Sequence, residues 1–215
     1  MNLTKSLEQL KTEIEAKLPE EAKEKMNKAV VDLADSGIVD NSLKVGAKVP
    51  NFSLPNVTGK TVELNSLLAK NPVIISFYRG GWCPYCNMEL RGLQKYLPQI
   101  TELGAKLIAI SPETPDNSLS TTEKNELTFE VLSDAGNQVA KEFGLVFQLP
   151  EEVNKIYQSF GIDLAAYNGD ESFELPISGT YVVATDGTVI HAFVDPDYKN
   201  RLDPEEIINV LKNIK

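Results

Sequence analysis

The stretch Val73-Ile74-Ile75-Ser76-Phe77-Tyr78 is apolar apart from one serine, and it runs straight into Arg79-Gly80-Gly81-Trp82-Cys83-Pro84-Tyr85-Cys86. A short apolar run without alternation is the mark of a strand covered on both faces, which a chain builds in the middle of an α/β sheet. The residues that follow are amphipathic, with Leu90, Leu93, Leu97 and Ile100 at helical spacing. The segment therefore predicts a central strand, a tight Gly-Gly turn and a helix that begins at Pro84. Proline suits the first helical position, so Cys83 falls at the N-cap and Cys86 about one turn in.

These two cysteines are the only ones in the chain. A Cys-x-x-Cys at a strand-to-helix junction carries a redox chemistry with a mechanism. The thiolate is the reactive form, and the positive end of a helix dipole stabilises it. Cys83 is expected to titrate below the unperturbed value of ~8.5. Arg79, four positions earlier, adds a positive charge, and Gly80-Gly81 let the loop backbone approach a substrate closely. Residues three apart on a helix are near enough for their sulfurs to join, so one thiolate attacks and the other resolves the oxidised product. Trp82 beside the thiol shields it, docks a partner, or simply packs.

Bulk properties narrow the choice. The chain has 215 residues and a formal net charge of −10. That balance argues against nucleic acid or an anionic membrane as the main partner, since both need clustered Lys and Arg. The first twenty residues hold no apolar core of a signal peptide. No stretch approaches the roughly 18 apolar residues of a membrane span. The chain reads as soluble and cytoplasmic, and there a Cys-x-x-Cys is catalytic or metal-binding rather than a structural disulfide. A structural zinc site takes four Cys or His ligands, whereas the chain offers two cysteines and the distant His191. His191 alternates with apolar neighbours and reads as a strand residue.

Residues 1–42 form a helical extension in this reading, and residues 43–215 a second unit. Leu3, Leu7, Leu10, Ile14 and Leu18 share one helical face, Pro19 interrupts, and Met26, Val30 and Leu33 continue on a second helix that stops at Ser36-Gly37. Such a hairpin covers core or mediates contact between two copies. Beyond it, a β-hairpin turns at Val57-Thr58-Gly59-Lys60. A buried strand spans Lys106–Ile110, helices 119–127 and 138–143 flank a strand at 129–132, and a helix follows at 151–160. Residues 163–174 read as an exposed loop. Asp186-Gly187 between apolar runs marks a hairpin, and Asp203-Pro204-Glu205-Glu206 opens a final helix with an Asp cap, Pro at the first position and acids in the first turn. Strands alternating with helices make this an α/β protein with a mixed sheet flanked by helices.

Together these segments resemble the peroxiredoxin-like branch of the AhpC/TSA family, within the thioredoxin-fold superfamily, over residues 43–215. The resemblance rests on Arg79 to Cys86, on Val45 to Leu54, on Ile75 to Tyr78, on Leu107 to Pro112, on Val131 to Asp134, and on Gly179 to Val183 with Phe193 to Asp195. It implies a thioredoxin-like fold and a thiol peroxidase that reduces hydrogen peroxide or alkyl hydroperoxides through a cysteine sulfenic acid and a Cys83–Cys86 disulfide. It implies a thioredoxin-like or other dithiol reductant and no cofactor; the N-terminal helical hairpin, for its part, predicts a homodimer. In the peroxiredoxin register, Cys83 takes the place of a threonine and Cys86 the peroxidatic place, with Glu89 matching the acid that often follows. In the thioredoxin register Cys83 is the nucleophile, which N-cap electrostatics favour. The family's usual arginine before the late hairpin is missing at Ser178-Gly179-Thr180, leaving Arg79 to supply the charge. Pro176 is the candidate for the cis-proline that thioredoxin folds set against their cysteines. A thiol–disulfide oxidoreductase and a non-enzymatic redox sensor remain alternatives.

Overall fold

In the computed structural model, which describes residues 2–214, two helices open the chain, α1 (Leu3–Glu15) and α2 (Glu20–Asp35). The short helix α3 (Ile38–Asn41) follows, and a ribbon of β1 (Ser53–Pro55) and β2 (Thr61–Glu63) leads through α4 (Leu64–Leu68) into β3 (Val73–Phe77). Next come α5 (Pro84–Glu102), β4 (Lys106–Ser111), α6 (Pro115–Lys124), β5 (Glu130–Ser133), α7 (Gln138–Glu142) and β6 (Val146–Gln148). The chain closes with α8 (Glu151–Ser159), α9 (Leu164–Asn168), β7 (Glu174–Pro176), β8 (Ser178–Val183), β9 (Val189–Asp195) and α10 (Pro204–Lys212).

The main sheet runs in the order β5-β4-β3-β8-β9. β3 pairs parallel with β4 and antiparallel with β8, so it is central, as its unbroken apolar run requires. Its side chains alternate between two cores. Ile74 joins Leu107, Ala109, Val131 and Val182 under α1, α5 and α10. Val73, Ile75 and Phe77 join Ile108, Ile110, Leu132, Tyr181 and Val183 under α4 and α7. Helices thus cover both faces, the α/β mixed-sheet class expected.

The α1 stripe is used within the chain. Leu3 and Leu7 are buried in the same core as Leu90 and Leu93 of α5. Asp203 links the two ends: its Oδ1 accepts from Glu205 N at 3.1 Å and caps α10, while its Oδ2 accepts from Leu3 N at 3.1 Å. α2 buries no residue fully and leans on α8.

Three segments depart from the sequence reading. Residues 163–174 are not a plain exposed loop, because the Asp163 side chain accepts from Ala166 N at 3.1 Å and nucleates α9. Gly169, with φ 73°, ends that helix, and Leu164 is buried. Val146–Gln148 and Glu174–Pro176 pair as a separate antiparallel ribbon that is too short for strand periodicity to reveal. The helix expected at 119–127 starts earlier, at Pro115, where proline takes the first turn.

Candidate active site

Cys83 occupies the N-cap of α5 with extended dihedrals, φ −86° and ψ 117°, and Pro84 follows inside the first turn. Its N–H donates to Gly80 O at 3.1 Å, and its carbonyl accepts the first helical bond from Asn87 N at 3.1 Å. The loop before it is tightly held. Gly81 N donates to Glu113 Oε1 at 2.9 Å, and Gly81 O accepts from Asn87 Nδ2 at 2.7 Å. A Cβ at Gly81 would overlap the Thr121 hydroxyl, and one at Gly80, whose φ is +149°, would overlap the Trp82 indole N–H. The Gly-Gly pair is there because two side chains already fill the space.

Both sulfurs are free thiols and buried. Their surroundings differ. Cys83 lines a cavity of about 270 Å³ walled by Arg79, Trp82, Tyr85, Tyr157 and Tyr198. Cys86 lines neither this cavity nor the neighbouring cleft of about 230 Å³ between α2 and α8, which shares Met26, Arg79, Tyr157 and Tyr198 with it. Burial raises the Cys83 thiol, but hydrogen bonding from Cys86 and the charges of Arg79 and Arg201 outweigh it and bring Cys83 down to about 6. Burial, together with the hydrogen bond to Cys83 and its charge, holds Cys86 well above the ordinary thiol range. The surroundings thus polarise the pair in opposite directions, toward a thiolate at Cys83 and a thiol at Cys86.

Two guanidinium groups set this electrostatics, and they are arranged differently. Arg79 sits in an aromatic cage, 4.5 Å from the Tyr198 ring centre, 5.0 Å from that of Trp82 and 5.5 Å from that of Tyr157. Its Nη2 donates to Tyr157 Oη at 2.6 Å, while Nε and Nη1 are buried and unpartnered. Among the described residues it pairs with no carboxylate. A buried cation left like this is costly; burial works against the Arg79 charge, and Tyr157, then Cys83, then Tyr198 support it. Arg201, from the loop between β9 and α10, is fully engaged. Its Nε donates to Glu89 Oε2 at 2.6 Å, Nη1 to the Tyr198 and Asn200 carbonyls, and Nη2 to Cys86 Sγ at 3.3 Å. Burial pushes the Glu89 carboxyl up to about 7, although Arg201 pulls it down.

The structure thus brings Cys83, Cys86, Arg79, Trp82 and Glu89 together. It leaves Pro176 out. Pro176 pairs with Val146 in the β6–β7 ribbon, lines neither cavity, and is trans like every other peptide bond among the described residues. A cis-proline against the cysteines is therefore not present at this position. The sequence reading missed Arg201 and Glu113. Arginine usage was the available signal for the first: the chain has three arginines against eighteen lysines, and two of the three face the sulfurs. Arg79 is not the only guanidinium available in place of the missing family arginine, because Arg201 Nη2 lies 3.3 Å from Cys86 Sγ and its charge also acts on Cys83. Among the described residues no group of three or more Cys, His, Asp or Glu is placed to hold a metal ion.

A dithiol at the start of a helix that leaves the central strand of a mixed sheet defines a thioredoxin-fold redox protein. Solved structures agree on the fold. A crystal structure of the peroxidoxin BcpB from Mycobacterium tuberculosis superposes with TM-score 0.64 at 23% identity, covering 80% of this chain and 99% of that one. A Xanthomonas campestris bacterioferritin comigratory protein gives 0.58 at 17%, covering 75% and 90%. The model of the AhpC/TSA family matches residues 45–192, and the chain belongs to that family. It is 29% identical to peroxiredoxin Q, chloroplastic, of Triticum aestivum over 84% of this chain and 72% of the relative. It is 28% identical to peroxiredoxin Bcp of Escherichia coli over 80% and 97%. Arg201 and the α1–α2 helices lie outside the stretch the family model matches.

Proposed function

We propose that this protein is a thiol-dependent peroxidase in which Cys83 attacks the hydroperoxide and Cys86 resolves the product. The Cys83 thiolate takes the distal oxygen as the O–O bond breaks, giving a sulfenic acid, and the departing alkoxide or hydroxide takes a proton from water. The Cys86 thiol then attacks the sulfenic sulfur, forming the disulfide and releasing water that carries the Cys86 proton. An external dithiol of thioredoxin type returns both sulfurs to thiols by two exchange steps. Arg79 holds the thiolate, and its two free donors are available to the peroxide oxygens. Arg201 and Glu89 hold Cys86.

The observation that carries this assignment is access. Cys83 opens on a cavity and Cys86 does not. The apolar walls of the adjoining cleft, among them Met26, Leu33, Phe147 and Val153, suit organic hydroperoxides beside hydrogen peroxide. The contact of Arg201 with Cys86 favours a second reading, with Cys86 as the attacking sulfur. A reducing compartment such as the cytoplasm fits a cycle that returns to thiols, and no helix among the described residues is long and apolar enough to cross a membrane. Residues 1–42 are proposed as an appended helical unit. A dimer formed through it would appear as a doubled mass in light scattering.

Stopped-flow oxidation of the reduced protein by hydrogen peroxide and by an organic hydroperoxide tests the reading. Oxidation far faster than that of free cysteine supports it. A rate no faster than free cysteine, together with dithiol-driven insulin reduction, would replace it by a thiol–disulfide oxidoreductase.

A further inference from the structure

The carboxylate of Glu113 takes no part in the dithiol chemistry. It stands two residues beyond β4, is fully buried, and pairs with no cation among the described residues. A buried carboxylate without a counter-ion is expensive unless its oxygens are used. Both are. Oε1 accepts from Gly81 N at 2.9 Å, and Oε2 accepts from Thr121 Oγ1 at 3.2 Å. Burial lifts the group to about 7, with the Gly81 N–H and Thr121 hydroxyl pulling the other way. Cys86 of α5 and Tyr78 at the end of β3 are the titratable groups close enough to bias its charge.

The peptide that Glu113 holds is two positions before Cys83. Its other end is fixed as firmly, since Asn87 Nδ2 donates to Gly81 O at 2.7 Å and Asn125 Nδ2 donates to Asn87 Oδ1 at 2.8 Å. Gly81 is thus clamped from α6 and β4 on one side and from α5 on the other. The clamp also has no slack, because Thr121 fills the place of a Gly81 side chain. The next two residues are Trp82, a wall of the Cys83 cavity, and Cys83 itself, whose N-cap dihedrals depend on where that peptide lies.

We infer that Glu113 is a positioning residue for the nucleophile: by accepting the Gly81 N–H it fixes the loop that sets the Cys83 sulfur at the α5 N-terminus beside Arg79. This rests on Cys83 being the reactive sulfur. What the role requires is an acceptor oxygen at the Gly81 N–H and not a charge. Glu113→Gln keeps such an oxygen, Glu113→Ala removes it, and Glu113→Asp withdraws it by one methylene.

The test is the rate of Cys83 alkylation by iodoacetamide against pH, measured in a Cys86→Ser background so that a single thiol is read, with peroxide oxidation followed in parallel. Glu113→Gln should keep the alkylation rate at pH 7 within about threefold of the parent. Glu113→Ala should lower it about tenfold or more, with the midpoint of the profile moved to higher pH, as expected when a buried N–H loses its acceptor and a helix-end thiolate is displaced. If Glu113→Ala does not fold, as judged by circular dichroism, Glu113→Asp carries the same expectation. An unmoved profile in the folded alanine or aspartate variant overturns the inference. Equal losses in Gln and Ala also overturn it, because the charge would then matter and not the acceptor. The alkylation readout is independent of peroxide: profiles that shift as stated in a protein that peroxide does not oxidise would keep the inference and discard the peroxidase reading.

Discussion

Replacing Arg79 by Met probes the electrostatics of the site most sharply. The substitution keeps the volume and apolar contacts in the aromatic cage while removing the one buried guanidinium that pairs with no carboxylate. Arg79 is the larger of the two guanidinium charges that lower Cys83, and losing a unit charge from the ~4–6 Å range in which it biases a neighbouring group is worth about 3 kcal/mol at an effective dielectric of about 20, or about two pKa units. Cys83 stands at about 6 with that charge in place, so the variant should titrate near ~8. The thiolate fraction at pH 7 then falls from about nine-tenths to about one-tenth. Oxidation by peroxide at pH 7 should slow about tenfold from thiolate loss alone and recover substantially at pH 9. The ultraviolet thiolate band of a Cys86→Ser background gives the titration, and stopped-flow gives the rate. An unchanged midpoint would mean that Arg79 is not what holds the anion. A deficit of the same size at pH 7 and pH 9 would move the role of Arg79 from the thiolate to the bound peroxide.

Three further outcomes follow from the same geometry. Because the reduced fold holds Cys83 at about 6, below its ordinary 9.0, the unfolded chain binds more protons between those values. The stability this group confers therefore grows as pH rises through that window and is lost on acidification through 6. The difference in denaturant midpoint between reduced wild type and Cys83→Ser should widen from pH 6 to 9, and a constant difference would count against it. Arg201→Met leaves Glu89 buried without its cation and should cost about 3–5 kcal/mol in urea unfolding, with Glu89→Leu added on top restoring much of the loss. Asp203→Ala removes the α10 cap and the acceptor for Leu3 N; it should cost about 1–2 kcal/mol in thermal unfolding, with hydrogen exchange rising in α1 as well as α10.

The strength of the sequence signal tracked how local its cause was. β3 and α5 were legible because an unbroken apolar run, a Pro at the first helical position and a leucine stripe each act within a few residues. α10 was legible because Asp203 and Pro204 cap their own helix. β6 and β7 were not, since each is three residues long and holds its shape through a partner far along the chain. α9 hid inside a polar stretch whose meaning depended on the Asp163 side chain turning back to its own backbone. The same division runs through the site. Cys83, Cys86, Arg79, Trp82 and Glu89 lie within eleven consecutive residues, Arg79 to Glu89. Arg201 comes from the loop after β9 and Glu113 from just past β4, and only the sheet order brings the one to Cys86 and the other to the Gly81 peptide. Pro176 shows the converse: its place in the order of the chain suggests the sulfurs, but pairing with Val146 in the β6–β7 ribbon carries it elsewhere.

The roles proposed for Arg79, Glu113 and Cys86 all turn on Cys83 being the sulfur that meets peroxide. Exposing reduced Cys86→Ser and Cys83→Ser to one equivalent of hydrogen peroxide with a dimedone-type probe, followed by peptide mass spectrometry, tests it directly. Label is expected on Cys83 in Cys86→Ser and on no cysteine in Cys83→Ser. A label on Cys86 that survives in Cys83→Ser and vanishes in Cys86→Ser would contradict it, and would make Arg201 the guanidinium of the reactive sulfur.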